Sequence, residues 1–201
     1  SSDVCSSDLT HVLKGGTASD ILSITADSGA AATVSGIVDI ENITVVGDAG
    51  TFAWTAHDNN ADTASTITVD ATSMSGGTKA ATINMVAEND AAVIVRGSAG
   101  DDTITMSASA LVDNISGNDG NDTIKFASGN LILTDIVDGG AGTDVMTVTD
   151  QTKIVDGDFT LVSNVETLTG GAADNSLIAE IGTEVAQAGI TTVTFTDTQA
   201  N

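Results

Sequence analysis

Three segments of the chain repeat one short pattern. They are Gly97-Ser98-Ala99-Gly100-Asp101-Asp102-Thr103-Ile104-Thr105, Gly117-Asn118-Asp119-Gly120-Asn121-Asp122-Thr123-Ile124-Lys125 and Gly139-Gly140-Ala141-Gly142-Thr143-Asp144-Val145-Met146-Thr147. All fit G-x-x-G-x-D-x-U-x, with U a large apolar residue. The glycines permit a tight turn at positive φ that leaves carbonyl oxygens facing one point, and the aspartate brings a charged oxygen to the same point. The apolar residue two places later starts a strand and anchors the corner in a core. Asp102, Asp122 and Asp144 are 20 and 22 residues apart, close to the roughly 18 residues of a coil built from two nonapeptides. The chain is therefore expected to return to the same edge one coil later. The corners then form a ladder with steps of about 4.8 Å, the parallel-strand spacing. Carboxylates at that spacing repel one another strongly unless a divalent cation lies between them.

The rest of the chain reads as more of the same architecture. Short runs with period-two placement of Ile, Val, Leu or Met fall at 20–25, 37–46, 65–70, 81–86, 92–96, 103–106, 123–126, 131–137, 145–149, 159–169 and 191–196, each bounded by Gly, Asp, Asn or Ser. Glutamate occurs only at Glu41, Glu88, Glu166, Glu180 and Glu184, so the acids are overwhelmingly aspartates, which favour turns over helices. Proline is absent and glycine numbers 21. The expected fold class is all-β, a right-handed parallel β-solenoid (β-helix or β-roll) with calcium-binding corners. Aromatic residues make up only 2% of the chain, so its core is built mainly from aliphatic side chains and threonine methyls. One helix is predicted, over Leu177 to Ala188, ended by Gly189.

Charge and run length exclude several classes. Five basic residues against 28 acidic ones give a net charge of −23, which rules out nucleic acid as a partner because phosphate contacts need clustered cations. The longest apolar run, Ala91 to Val95, is far below the roughly 18 residues of a membrane span, so no transmembrane segment is expected. A single cysteine, Cys5, makes an intramolecular disulfide impossible.

Residues 1–9 lack the strand-turn rhythm and resemble translated sequencing-adapter read-through; they are expected to be a non-native leader. Beyond them the chain resembles itself. Gly15 to Thr25 lines up with Gly139 to Thr149, and Ile40 to Thr44 answers to Val165 to Thr169, both at an offset of about 124 residues. The expected organisation is a first solenoid module over 10–135 and a partial second copy over 136–201, cut from a longer array.

Six to eight hard oxygens at such corners suit Ca²⁺ better than Mg²⁺, which demands near-octahedral geometry, or Zn²⁺, which takes nitrogen and sulfur. The candidate metal ligands are Gly97, Gly100 and Asp102; Gly117, Gly120 and Asp122; Gly139, Gly142 and Asp144; with Asp101 and Asp119 as second carboxylates. No catalytic constellation accompanies them. His57 reads as a surface-loop residue and Arg96 is the sole arginine.

These segments resemble the calcium-binding nonapeptide G-G-x-G-x-D-x-U-x of RTX proteins, whose β-roll stacks its corners around ions. The segment at Gly139 matches in full; Ser98 and Asn118 replace the second glycine in the other two, and Ala18 replaces the fourth-position glycine at Gly15. The wider Thr-rich pattern is similar to calcium-dependent S-layer and related large surface proteins of Gram-negative bacteria. That resemblance implies export by type I secretion, an extracellular place at the cell surface, folding in external calcium and self-association or contact with neighbouring repeats. The function it implies is a non-enzymatic structural module. The alternatives are the calcium-binding, non-catalytic region of a secreted protease or lipase, and a β-helix enzyme acting on acidic polysaccharide.

Overall fold

A computed structural model describes residues 2–4, 13–16, 19–26, 31–34, 37–47, 50–58, 65–74, 79–150, 153–172 and 178–197. Cys5 and most of the 1–9 segment lie outside these residues, although Ser2–Val4 forms a strand. Among the described residues, two eight-stranded parallel sheets face each other. The first contains Ser2–Val4, Ile21–Ala26, Asn42–Gly47, Thr66–Asp70, Ala92–Arg96, Asp113–Ser116, Ile136–Asp138 and Val162–Ser163. The second contains Ala31–Val34, Thr51–Thr55, Ala80–Asn84, Thr103–Thr105, Thr123–Phe126, Val145–Val148, Thr167–Ala172 and Thr192–Asp197. Through the middle of the chain successive strands alternate between the sheets, and each pairs with the strand one coil earlier. This is the parallel β-solenoid expected from the corner spacing.

The period-two pattern decides which side chains point inward. In the first sheet Ile67, Val93 and Asp113 occupy one stacked row, and Val69, Val95, Ile115, Val137 and Val162 another. In the second, Ile83, Ile104, Ile124, Met146 and Leu168 stack in register, and all five are wholly buried. The two inward faces form one continuous aliphatic core. Its aromatic members are few: Trp54 continues the second sheet's row next to Ile83, and Phe126 and Phe159 meet edge to face at 6.3 Å and 77°.

The structure departs from several sequence expectations for local reasons. The run 37–46 is divided into Ile37–Val38 and Asn42–Gly47 by Asp39, at φ 52°. The run 159–169 is divided in the same way by Asn164, at φ 53°, into Val162–Ser163 and Thr167–Ala172. A single left-handed residue turns the chain from one face of the coil to the next. Only Ile136–Asp138 of the 131–137 region is strand, because Asp135 folds back to accept the Ile132 N–H at 2.9 Å and closes a turn. The helix is confined to Thr183–Gln187, since Ile178–Ala179 pairs with Lys153–Ile154; Leu177 lies outside the described residues. Gly189, at φ 98°, ends the helical segment as expected.

Candidate metal centre

The three glycine-aspartate segments occupy one edge of the solenoid, where the chain passes from the first sheet into the second. Thr103 pairs with Thr123 and Thr123 with Val145, so Asp102, Asp122 and Asp144 stand directly above one another. Each reaches across the coil boundary with one oxygen. Asp122 Oδ1 accepts the Asp102 N–H at 2.8 Å, Asp144 Oδ1 accepts the Asp122 N–H at 2.7 Å, and Glu166 Oε2 accepts the Asp144 N–H at 2.7 Å. The carboxylates thereby cap backbone donors that the parallel ladder leaves over where each strand begins.

Their second oxygens separate the corners into two kinds. Asp102 Oδ2 accepts the Ser98 N–H at 2.6 Å, and its Oδ1 accepts the Ala81 N–H and the Ser98 hydroxyl. That corner is closed by its own hydrogen bonds. Asp122 Oδ2 and Asp144 Oδ2 are buried and have no hydrogen-bond partner. Backbone conformation divides the corners along the same line. Asn118 and Gly120 have φ of 77° and 122°, and Gly140 and Gly142 have φ of 105° and 151°, whereas Ser98 and Gly100 do not enter the left-handed region. Two corners thus share one turn conformation and one unpartnered carboxylate oxygen, and the serine-containing corner has neither.

Main-chain oxygens crowd the same place. A Cβ at Gly117 would overlap Asp122 Oδ2 and the Gly139 carbonyl oxygen, and one at Gly139 would overlap the Asn164 carbonyl oxygen with Asp144 Oδ2 at 2.7 Å. Glycine is required there because oxygen atoms fill the space a side chain would take. Desolvation raises the Asp122 carboxyl to about 7, and the neighbouring Asp102 and Asp144 carboxylates push it the same way. Desolvation likewise raises Asp102 and Asp144. Converging hard oxygens, unpartnered and sparing of nitrogen, suit a calcium-class cation.

Not every nominated residue joins this edge in the same way. Asp101 is exposed and accepts the Asn121 N–H at 2.7 Å, after which Asn121 Oδ1 accepts the Thr143 N–H at 2.9 Å, so it heads an outer row of caps. Asp119 is also exposed, and its backbone bridges to Ala141. At the earlier glycine-aspartate corner Glu41 Oε2 accepts the Asp20 N–H at 2.7 Å, as Glu166 does for Asp144, but Asp20 Oδ2 accepts the Gly16 N–H at 2.6 Å, as Asp102 Oδ2 accepts that of Ser98.

Sequence reasoning overlooked Glu166 and a second row of acids on the opposite edge. Asp113 and Asp135 are buried, with Ser107 donating to both oxygens of Asp113 and Asp135 Oδ1 accepting the Asp113 N–H at 2.9 Å. Both carry the D-x-U signal, in Asp113-Asn114-Ile115 and Asp135-Ile136-Val137, but without the glycines that draw attention to the other edge. Burial raises Asp113 to about 7.

Residues 93–105, 109–130 and 134–147 match the family of the RTX calcium-binding nonapeptide repeat (4 copies). These stretches are RTX-type calcium-binding repeats. The matched residues span both edges of the solenoid and include the Asp113 and Asp135 caps as well as the Asp102, Asp122 and Asp144 ladder. Calcium is therefore the cation that repeats of this type bind, in keeping with the oxygen-rich character of this edge. No curated protein and no solved structure matches the chain. Among the described residues, no helix is long and apolar enough to cross a membrane.

Proposed function

We propose that this chain is a non-enzymatic structural module of a secreted bacterial surface protein, S-layer-like or adhesin-like, that external calcium folds and stiffens. The observation that carries this reading is the pair of buried, unpartnered oxygens at Asp122 and Asp144, the first beside the Gly139 carbonyl and the second beside the Asn164 carbonyl. Gly117, Gly120 and Asp122, and Gly139, Gly142 and Asp144, are the ligand-bearing corners in this reading. Gly97, Gly100 and Asp102 form a corner that Ser98 already satisfies, and Asp101 and Asp119 contribute negative potential at the rim.

The physical logic is a switch between repulsion and closure. Without a cation the stacked carboxylates oppose coil formation, a state compatible with export of an extended chain. Extracellular calcium modules have a Kd of about 10⁻⁴ to 10⁻³ M, and a site at 100-fold excess of ligand over Kd contributes about 2.7 kcal/mol. Two such corners contribute about 5 kcal/mol, the lower end of an ordinary domain's stability of about 5–15 kcal/mol. The copies at 10–135 and 136–201 are then successive modules of one array, with calcium and neighbouring repeats as partners.

The test is calcium titration of the chelator-treated chain, read by circular dichroism and calorimetry. Gain of β-structure with calorimetric binding supports the reading; a spectrum indifferent to chelator and calcium overturns the folding role. Loss of binding in Asp122→Asn with Asp144→Asn supports the named corners, and undiminished binding overturns them.

A further inference from the structure

On the edge where the chain leaves the second sheet, three acids from two successive coils meet. Asp58 follows the strand Thr51–Thr55, and Glu88 and Asp90 follow its neighbour Ala80–Asn84. One carboxylate oxygen from each lies within 4.8 Å of the others. Oxygens bound at 2.3–2.6 Å to a common calcium are separated by at most about 5 Å, so this spread fits a single ion.

Glu88 is the unusual member. It is wholly buried, at 0% exposure, where an ionised carboxylate without compensation is costly. Its Oε1 accepts the Asp90 N–H at 3.1 Å and the Ala91 N–H at 2.9 Å, which holds the side chain in one orientation. Its own N–H donates to the Met85 carbonyl at 2.9 Å, and its carbonyl accepts the Ala108 N–H at 2.8 Å. The remaining oxygen, Oε2, is buried and has no hydrogen-bond partner. The fold thus fixes an acceptor-only group beside two further carboxylates and leaves one oxygen of Glu88 unused. Neither segment, 56–58 nor 85–91, contains a lysine or arginine.

We propose that Asp58, Glu88 and Asp90 form a further calcium-class cation site, separate from the nonapeptide corners and on the opposite edge of the second sheet. Its residues precede the segments matched by the repeat family, which start at residue 93, and the site stands independently of the reading of the corners. Glu88 supplies the fixed buried ligand, Asp90 a half-buried one from the same turn, and Asp58 an exposed one through which the site opens to solvent. Because Asp58 and Glu88 belong to adjacent coils, an ion here ties together the coil that spans Thr51 to Ala80, the longest step between paired strands of the second sheet.

Trp54, the chain's one tryptophan, is buried four residues before Asp58 and pairs in register with Ile83, five residues before Glu88. Terbium(III), a hard-oxygen substitute for calcium, emits when excited through a nearby indole, so Trp54 reports on this site. The corners lie at the opposite ends of later strands. The expected result is tryptophan-sensitised emission from the intact chain that excess calcium displaces, that falls at least tenfold in Glu88→Gln and in Asp58→Asn, and that persists when Asp122 and Asp144 are both changed to Asn. Absence of sensitised emission overturns the proposal, as does unchanged emission in the exposed Asp58→Asn variant, which settles the matter if Glu88→Gln fails to fold. Emission lost only in the Asp122/Asp144 variant places the ion at the corners and overturns it too.

Discussion

Changing Asp113 to Asn tests whether buried acids make the calcium-free solenoid sensitive to alkali. Asp113 is 1% exposed, burial raises its carboxyl to about 7, and the Asp135 and Glu88 carboxylates add to the rise, against an ordinary value of 3.8. A group whose pKa is higher in the fold than in the open chain stabilises the fold at low pH, and that contribution is lost as pH rises towards the folded value. Each pH unit climbed in this window costs about 1.4 kcal/mol. From pH 5 to pH 8 the loss from Asp113 alone is therefore about 3 kcal/mol. For a chain of 201 residues, about 2–4 °C of Tm accompanies each kcal/mol, so the expected shift is roughly 6–12 °C.

Asparagine cannot ionise, but it has one acceptor oxygen where the carboxylate has two, so it cannot accept the Ser107 N–H and the Ser107 hydroxyl on separate oxygens, and the lost hydrogen bond costs about 1 kcal/mol at every pH. The assay is thermal unfolding in chelator at intervals from pH 5 to pH 8. The variant should gain on the wild-type chain by about 3 kcal/mol across that range. Parallel curves for the two proteins would refute the reasoning, because the only titrating difference between them is this carboxyl.

Three further outcomes are expected. Asp102→Asn should lower Tm without changing the calcium stoichiometry, since both Asp102 oxygens are occupied by protein donors, whereas Asp144→Asn should lower the stoichiometry measured by calorimetry. Gly142→Ala should cost at least about 2 kcal/mol in denaturant unfolding, because Gly142 has a φ of 151° and a Cβ there overlaps the Gly120 carbonyl; Gly157→Ala, facing open space, should be close to neutral. Asp156 accepts the N–H groups of Gly182, Glu184 and Val185 at the start of the short helix, which lowers its pKa, the Val185 contact most of all. Asp156→Asn should therefore reduce Tm at neutral pH, and its deficit should close as pH falls through the acid range where the native carboxylate becomes protonated.

The parts of the site legible in the sequence are those where chemistry and backbone coincide. Asp122 and Asp144 stood out because glycines precede them and an apolar residue follows two places on, a combination needed only where a tight turn enters a strand. Asp113 and Asp135 share the second half of that signal, but Ala108 and Leu111, and Asn130 and Leu133, stand where glycine marks the other edge, so their burial was hidden. Strand Asp113–Ser116 was missed for the same reason: its first inward position holds an aspartate in the row begun by Ile67 and Val93. Strand Thr51–Thr55 alternates perfectly in burial, yet only Phe52 and Trp54 carry the signal, in a chain otherwise read by its aliphatic residues.

Residue order by itself determined the period-two faces, the return of the chain to one edge after about 20 residues, and the oxygen-rich character of that edge, because each follows from local backbone preference and spacing. Which oxygens remain unpartnered was decided only by stacking. Ser98 closes the Asp102 corner while Asn118 and Gly140, at positive φ, leave the Asp122 and Asp144 corners open. Glu88 acquires its neighbours Asp58 and Asp90 only when two coils are laid together. Hydrogen-bond satisfaction and desolvation are properties of atoms brought close in space, and a linear sequence carries no direct record of that proximity.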